Sequence, residues 1–151
     1  MLHHGCPGMQ LRTFAYKATQ EAAAPTAQES QLSQWPVQIK LAGVMAPYFD
    51  DADLLIAADC TAYAYGNFHE KFIRGRITLI GCPKLDAVDY AEKLTAIFAA
   101  HSIRSVTVAR MEVPCCGGIE QAVQRAIAAS GKAISCHVTV IGTDGTIQEE
   151  R

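Results

Sequence analysis

Predominantly apolar runs without polar alternation constrain the fold of this chain more than any other feature of its sequence. Such runs are typical of strands that are covered on both faces, as in a parallel sheet. They occupy residues 54–58, 77–81, 106–111 and 137–141. An earlier segment, residues 37–41, alternates apolar and polar side chains with period two and predicts a further, half-buried strand.

Helical patterns separate these runs. Apolar residues recur at helical spacing over residues 87–98 and 119–127, and Gly131 follows the second pattern where a glycine commonly ends a helix. A weaker pattern over residues 61–72 is interrupted near Gly66. The alternation predicts an α/β domain with a three-layer, doubly wound, mainly parallel sheet of about five strands, Rossmann-like or flavodoxin-like. A turn is predicted after the last run, closing at most a small hairpin.

The 151 residues correspond to one domain with an irregular N-terminal arm. Residues 1–34 are interpreted as an arm or linker, because residues 21–31 are small, polar and interrupted by proline. Residues 35–151 are then interpreted as a cysteine-rich α/β domain, and its cysteines make it the part of the chain expected to bind a cofactor. A hydrophobic content of 50% and a charged content of 19% exclude a disordered or collagen-like chain.

Charge and hydropathy limit the partners and the location. The formal charge of −2, with no run of Lys or Arg, argues against nucleic acid and an anionic membrane as partners. No apolar stretch reaches the roughly 18 residues of a membrane span. The N-terminus lacks the pattern of a secretory signal peptide, so we expect a cytoplasmic, reducing location. In that compartment, six cysteines indicate metal or redox chemistry more than disulfides.

Four cysteines follow the predicted strands at the points where those strands end. Cys60, Cys82 and the adjacent Cys115 and Cys116 each come just after an apolar run. The carboxyl ends of parallel strands share one edge of the sheet, where open α/β sheets bind ligands. We therefore expect the four thiols to meet there. Four converging thiolates in a reducing compartment indicate an iron–sulfur cluster or zinc.

Residues beside these cysteines fit an anionic cofactor. Gly117 and Gly118 follow the double cysteine and open a predicted helix, where free backbone N–H groups and the helix dipole favour an anion. Lys84 lies two residues after Cys82 and adds a positive charge. We therefore predict that Gly117, Gly118 and Lys84 contact the cofactor.

The other cysteines and histidines carry less information. Cys136 lies in or beside the last predicted strand and is interpreted as a core residue. Cys6 stays open as a further ligand or a loop thiol, and His69 and His101 are interpreted as helix-surface residues. The sequence contains no Walker loop, no glycine-rich dinucleotide fingerprint and no nucleophile elbow, so catalytic residues stay unknown.

Several segments resemble the C-terminal domain of the ferredoxin-like (4Fe-4S) iron–sulfur cluster-binding proteins of anaerobic microbes. In that family a ferredoxin module often precedes this domain, and residues 4–8 resemble the join. The resemblance implies a metal-binding, electron-transport protein with a four-iron four-sulfur cluster, and a ferredoxin module or redox partner protein as partner. The segments that carry it are 30–41, 46–49, 57–60, 82–85 and 111–118.

Three functions stay open, and the first is preferred. It is an iron–sulfur redox protein, an electron carrier more than an enzyme, with the cluster on Cys60, Cys82, Cys115 and Cys116. With only three ligands, an open iron would allow Lewis-acid or small-molecule redox chemistry, and a homodimer sharing a cluster also stays open. The second is a zinc-bound or metal-free interaction module of a redox complex. The third is a thiol redox enzyme that uses the strained pair Cys115 and Cys116.

Overall fold

The computed structural model describes residues 9–15 and 27–151 of the chain. Those residues contain a five-stranded sheet with the strand order β2-β1-β3-β4-β5. The first four strands run parallel, and β5 pairs with β4 in the antiparallel direction. The predicted α/β fold with a mainly parallel sheet is therefore confirmed. The strands are β1 (Asp53–Ala58), β2 (Ile77–Gly81), β3 (Ser105–Met111), β4 (Ser135–Ile141) and β5 (Ile147–Glu150).

Helices cover the two faces of the sheet and complete the three layers. One face packs against two long helices, α2 (Tyr90–Ala100) and α3 (Gly117–Ser130). The other face packs against the segment that contains the short helix α1 (Thr61–Ala64) and a π-helical turn (His69–Ile73). The weak helical pattern of residues 61–72 therefore corresponds to two short helical segments and not to one helix. No helix in the described ranges is long and apolar enough to cross a membrane.

The apolar runs form the centre of the sheet because both of their faces are buried. In β1, Leu55 packs in the core layer under the π-helical turn, while its neighbour Ile56 packs in the layer under α2 and α3. Both side chains are fully buried. Burial of one such side chain stabilises the fold by about 1.5–3 kcal/mol. This is the physical reason why continuous apolar runs predicted the parallel strands.

Local signals set the ends of the long helices. Helix α2 begins at Asp89, whose side chain accepts a hydrogen bond from the Ala91 backbone N–H, so it starts later than the apolar pattern predicted. Helix α3 ends at Gly131, which adopts the left-handed conformation with φ of 71°. A glycine takes this conformation without steric cost, and the predicted helix end is confirmed.

The fifth strand is not the one that the alternating pattern predicted. Within residues 37–41, Gln38 forms only an isolated bridge with Ile80, and the Gln38 carbonyl accepts the N–H groups of Leu41 and Ala42. The chain therefore turns instead of extending, and the strand prediction was wrong. The fifth strand is β5, which returns after β4 through a turn at Gly145.

His101 is also placed differently from the prediction. Its ring is 4% exposed and lies 2.6 Å from a carboxylate oxygen of Asp50 and 2.6 Å from the carbonyl oxygen of Val44. It follows α2 directly and holds the loop before β1 against the helix end. The helix-surface interpretation of His101 was wrong, because a residue just past a helix end no longer obeys the helical pattern. The boundary between an arm and a domain at residue 34 stays a prediction.

Candidate functional site

Four cysteines lie at the carboxyl end of three neighbouring strands. Cys60 comes two residues after β1, Cys82 directly follows β2, and Cys115 and Cys116 lie in a short turn of 3-10 helix after β3. Because β1 lies between β2 and β3 in the sheet, Cys60 lies between the other thiols. We call these four residues the cysteine edge.

The electrostatics show that the four thiols are close to one another. The charges of Cys82 and Cys115 both act on Cys60, and the charge of Cys60 acts in turn on Cys116. Cys115 also forms a side-chain hydrogen bond with Cys116. Cys60 is exposed, Cys82 and Cys115 are half-buried, and Cys116 is buried. The sequence predicted this convergence, and its geometric basis is the common direction of the strands.

The surroundings of these thiols favour their neutral form. Burial, followed by the charges of Cys82, Asp59 and Cys115, raises the pKa of Cys60. Burial also raises the pKa of Cys116 to about 11, helped by Cys115 and Cys60 and opposed by a backbone hydrogen bond from Met111. None of the groups acting on these two thiols is a cation, so repulsion among thiolates is left uncompensated.

The raised pKa of Cys116 has a measurable consequence. A thiol with a pKa of about 11 instead of 9.0 holds roughly 100-fold less thiolate at pH 8, and the thiolate is the reactive species. We expect iodoacetamide to alkylate Cys116 of the reduced, metal-free protein about 100-fold more slowly than in the unfolded chain, with a rate that rises toward pH 11. Peptide mass spectrometry measures this rate. Equal rates in the folded and unfolded chains would contradict the shift.

A polar network that the sequence did not reveal borders the cysteine edge. The Cys82 carbonyl accepts the N–H groups of Leu85 and Asp86, which turns the chain back toward α2. Tyr90 of α2 then donates its hydroxyl to Asp86 and accepts a backbone hydrogen bond from Cys82. Burial, then the hydrogen bond to Asp86, raises the pKa of Tyr90 well above its usual range.

Asp59 extends this network to the other side of the edge. Burial and the charge of Asp86 raise the pKa of Asp59, and a hydrogen bond from Gln38, with its nitrogen 3.5 Å from the carboxylate oxygen, opposes them. The carboxyl therefore lies between Gln38 and the acidic turn after Cys82, directly before Cys60 in the chain. Only a three-dimensional structure could relate these groups, because they come from four separate segments.

The predicted cofactor contacts differ in what they do. A Cβ added to Gly118 would lie 3.1 Å from the Cβ of Pro83, so the glycine allows the Cys82 loop to approach the start of α3. Nothing lies within 4 Å of a Cβ added to Gly117. Lys84 is exposed, two residues after Cys82. The contacts of Gly117, Gly118 and Lys84 with a cofactor stay predictions.

The remaining cysteines do not belong to the cysteine edge as described. Cys136 is the second residue of β4, is half-buried, and packs against the core under α2 and α3. It lies near the start of its strand, whereas the edge lies where the strands end. Cys6 lies outside the described residues, so its role as a further ligand stays open.

No arrangement in the described ranges is ready to hold a metal ion. Among residues 9–15 and 27–151, no group of three or more His, Cys, Asp or Glu side chains has the positions that a metal ion needs. The cysteine edge is thus a group of neighbouring thiols and not a formed coordination sphere. The predicted description of the chain as a metal-binding, four-iron four-sulfur protein was therefore wrong: the described residues contain no formed metal site.

Comparison with known proteins gives a family but no activity. Residues 46–151 match the family model described as a Rossmann-like domain. An uncharacterized protein of Archaeoglobus fulgidus is 28% identical over 118 residues, which cover 78% of this chain and 84% of the relative. No solved structure matches the chain.

These findings overturn the resemblance to the ferredoxin-like iron–sulfur family. The matching model is that of a different family, and the relative's name mentions neither iron nor sulfur. Two of the segments that carried the resemblance, 82–85 and 111–118, lie at the carboxyl edge of the sheet, largely in the connections after β2 and β3. Such loops vary in chemistry on a shared fold, so short likenesses in them do not show a family. The chain belongs to the Rossmann-like domain family.

Proposed function

We propose that the protein is a redox protein and that the cysteine edge is its electron-carrying site. The observation that supports this proposal is the convergence of four thiols from three loops at the carboxyl ends of neighbouring strands, where their charges act on one another. Structural cysteines are normally dispersed in the core. Cys136 illustrates that behaviour in the same chain.

Thiols in this arrangement have a defined redox chemistry. When a pair of the four is oxidised, two S–H bonds break, one S–S bond forms, and two protons and two electrons leave. A disulfide of a partner protein takes up these electrons and protons and becomes two thiols, by thiol–disulfide exchange.

The same edge does not fit a dinucleotide, which many Rossmann-like domains bind. In the standard fingerprint, glycines after the first strand allow the backbone to approach the pyrophosphate. Here β1 is followed by Asp59 and Cys60 and not by glycines. An acidic side chain at this turn repels a phosphate. We therefore propose no nucleotide chemistry.

The iron–sulfur cluster stays a prediction about what occupies the edge, now without support from a family. Four thiols from three loops are a suitable ligand set by type. A cluster would supply one-electron transfer, and Cys60, Cys82, Cys115 and Cys116 would hold it. The protein's own residues would provide the sulfur ligands and exclude water on the buried side at Cys116.

We propose that the electrons pass to or from a partner protein that docks on the cysteine edge. Tyr63 is 92% exposed three residues after Cys60, and Leu85 is 82% exposed three residues after Cys82. Exposed aromatic and aliphatic side chains beside a site are common in protein interfaces. A reducing compartment, the cytoplasm, keeps such thiols available for exchange.

Anaerobic purification followed by a redox titration tests the function. Iron, acid-labile sulfide, zinc and free thiols are measured first, and the protein is then equilibrated with dithiothreitol buffers of increasing oxidising power. We expect a reversible electron exchange, seen as the loss of two or more thiols on oxidation and their return on reduction, or as the bleaching of a cluster on reduction. Four permanently free thiols, or one redox-inert zinc ion, would contradict the proposal.

A further inference from the structure

A polar cavity lies on the sheet face opposite to α2 and α3, away from the cysteine edge. Its volume is about 540 Å³, within the range of small-molecule sites. It is bordered by the π-helical turn, the first halves of β3 and β4, and the end of the chain. We call it the basic cavity. The residues used below are Lys71, Arg76, Thr107, His137, Thr139 and Arg151.

Arg76 is fixed in this cavity in a way that leaves half of its guanidinium group free. Its Nη1 atom donates to the carbonyl oxygens of Lys71, at 3.1 Å, and Phe72, at 2.9 Å. The Nε and Nη2 atoms have no partner among the described residues. These two atoms form the edge of the guanidinium group that binds a carboxylate or phosphate with two parallel hydrogen bonds.

The other cations around the cavity are already neutralised. Lys71 lies 3.0 Å from a carboxylate oxygen of Glu150, and Arg151 lies 2.7 Å from one of Glu120. Arg76 has no such acidic partner in the ranges that the structure describes. The cavity therefore has one uncompensated positive charge, and its position is set by two backbone carbonyls.

Two threonines, each buried apart from a small exposed fraction, add hydroxyl donors on the floor of the cavity. Thr107 of β3 is 8% exposed and Thr139 of β4 is 6% exposed. Thr107 pairs with His137 in the register of β3 and β4, and Thr139 lies two residues after His137. Because side chains alternate between the two faces of a sheet, all three residues lie on the same face. Within residues 9–15 and 27–151, neither hydroxyl makes a hydrogen bond to protein, and neither oxygen is fully buried. Both hydroxyls are therefore free to donate to a molecule bound in the cavity.

We propose that the basic cavity binds a small molecule through an oxyanion, a carboxylate or a phosphate. The oxyanion pairs with the Nε and Nη2 edge of Arg76, and further acceptor atoms of the molecule accept hydrogen bonds from Thr107 and Thr139. His137 is exposed at the mouth and contributes a further polar contact. This inference does not depend on the function proposed for the cysteine edge, which lies at the other end of the strands.

Nuclear magnetic resonance titrations test the proposal with inorganic phosphate in one arm and acetate in another, at constant ionic strength. We expect saturable shifts of the backbone amides of residues 105–109 and 137–139 in at least one arm, which also identifies the preferred oxyanion. Arg76→Gln is expected to weaken binding at least about 10-fold, because a hydrogen-bonded charge is lost. Arg76→Lys keeps the charge but loses the bidentate geometry, so we expect its affinity to lie between those of the parent chain and Arg76→Gln.

Variants of the hydroxyls keep the test independent of folding. Thr107→Val and Thr139→Val conserve shape and remove an unpartnered hydroxyl, so we expect them to fold and to weaken binding a few-fold. Arg125→Gln is the matched control, because Arg125 pairs with Asp89 on the other side of the molecule, and its binding is expected to equal that of the parent chain. Shifts that do not saturate, or equal affinity in Arg76→Gln and Arg125→Gln, would overturn the proposal.

Discussion

Serine in place of Cys82 is expected to abolish most of the reversible electron uptake of the cysteine edge. Cys82 directly follows β2, and its charge is the strongest of those acting on Cys60. A serine hydroxyl neither forms a disulfide nor provides a soft ligand, so every disulfide or cluster that includes Cys82 is lost. We expect the number of electrons taken up per molecule, or the iron and sulfide content if a cluster is present, to fall by at least half.

The same change in Cys136 provides the matched control. Cys136 is also half-buried, but it lies near the start of β4, and the side chains acting on its pKa are Glu120 and Arg151. We expect Cys136→Ser to retain the electron uptake of the parent protein. Thermal denaturation of both variants shows whether each chain is folded. Identical redox titrations for Cys82→Ser and Cys136→Ser would show that Cys82 takes no part in the redox site.

The sheet and the cysteine edge follow from the sequence because their causes are local. A strand buried on both faces must be apolar throughout, and parallel strands necessarily end at one edge. Cys60, Cys82 and Cys115 each come just after an apolar run. Their positions in the sequence therefore predict that the three thiols lie at the same edge of the sheet. What binds there does not follow, because a fold places side chains without determining the group that they hold.

Other parts of the structure have no local signature. Residues 37–41 alternate like a strand, yet the Gln38 carbonyl closes a turn with N–H groups only three and four residues ahead. Strand β5 is nearly all exposed and polar, and only its pairing with β4 makes it a strand. The basic cavity joins Arg76, Thr107 and Thr139 from three distant segments. Contacts at such separations depend on the completed fold.

Alanine in place of Gly81 is expected to cause a large loss of stability and to disturb the cysteine edge. A Cβ at this position would lie 2.5 Å from the hydroxyl oxygen of Tyr90 and 2.7 Å from its Cζ atom. Tyr90 is 3% exposed and held by Asp86 and Cys82, so its ring has little room to move. Overpacking of this kind costs about 2–3 kcal/mol.

For a chain of this size, that cost corresponds to a melting temperature lower by about 5–10 °C, measured by circular dichroism. Gly66→Ala is the matched control, because nothing lies within 4 Å of a Cβ added there, and its melting temperature is expected to change little. Tyr90→Phe removes the hydroxyl oxygen, which is the atom nearest to the added Cβ. In the Gly81→Ala background, this second change is expected to restore part of the lost melting temperature. Since Tyr90 accepts the hydrogen bond from the Cys82 backbone, displacement of its ring moves Cys82 as well. At temperatures where both variants are folded, Gly81→Ala is therefore expected to take up fewer electrons per molecule than Gly66→Ala. Equal electron uptake by the two variants would show that Tyr90 does not position the cysteine edge.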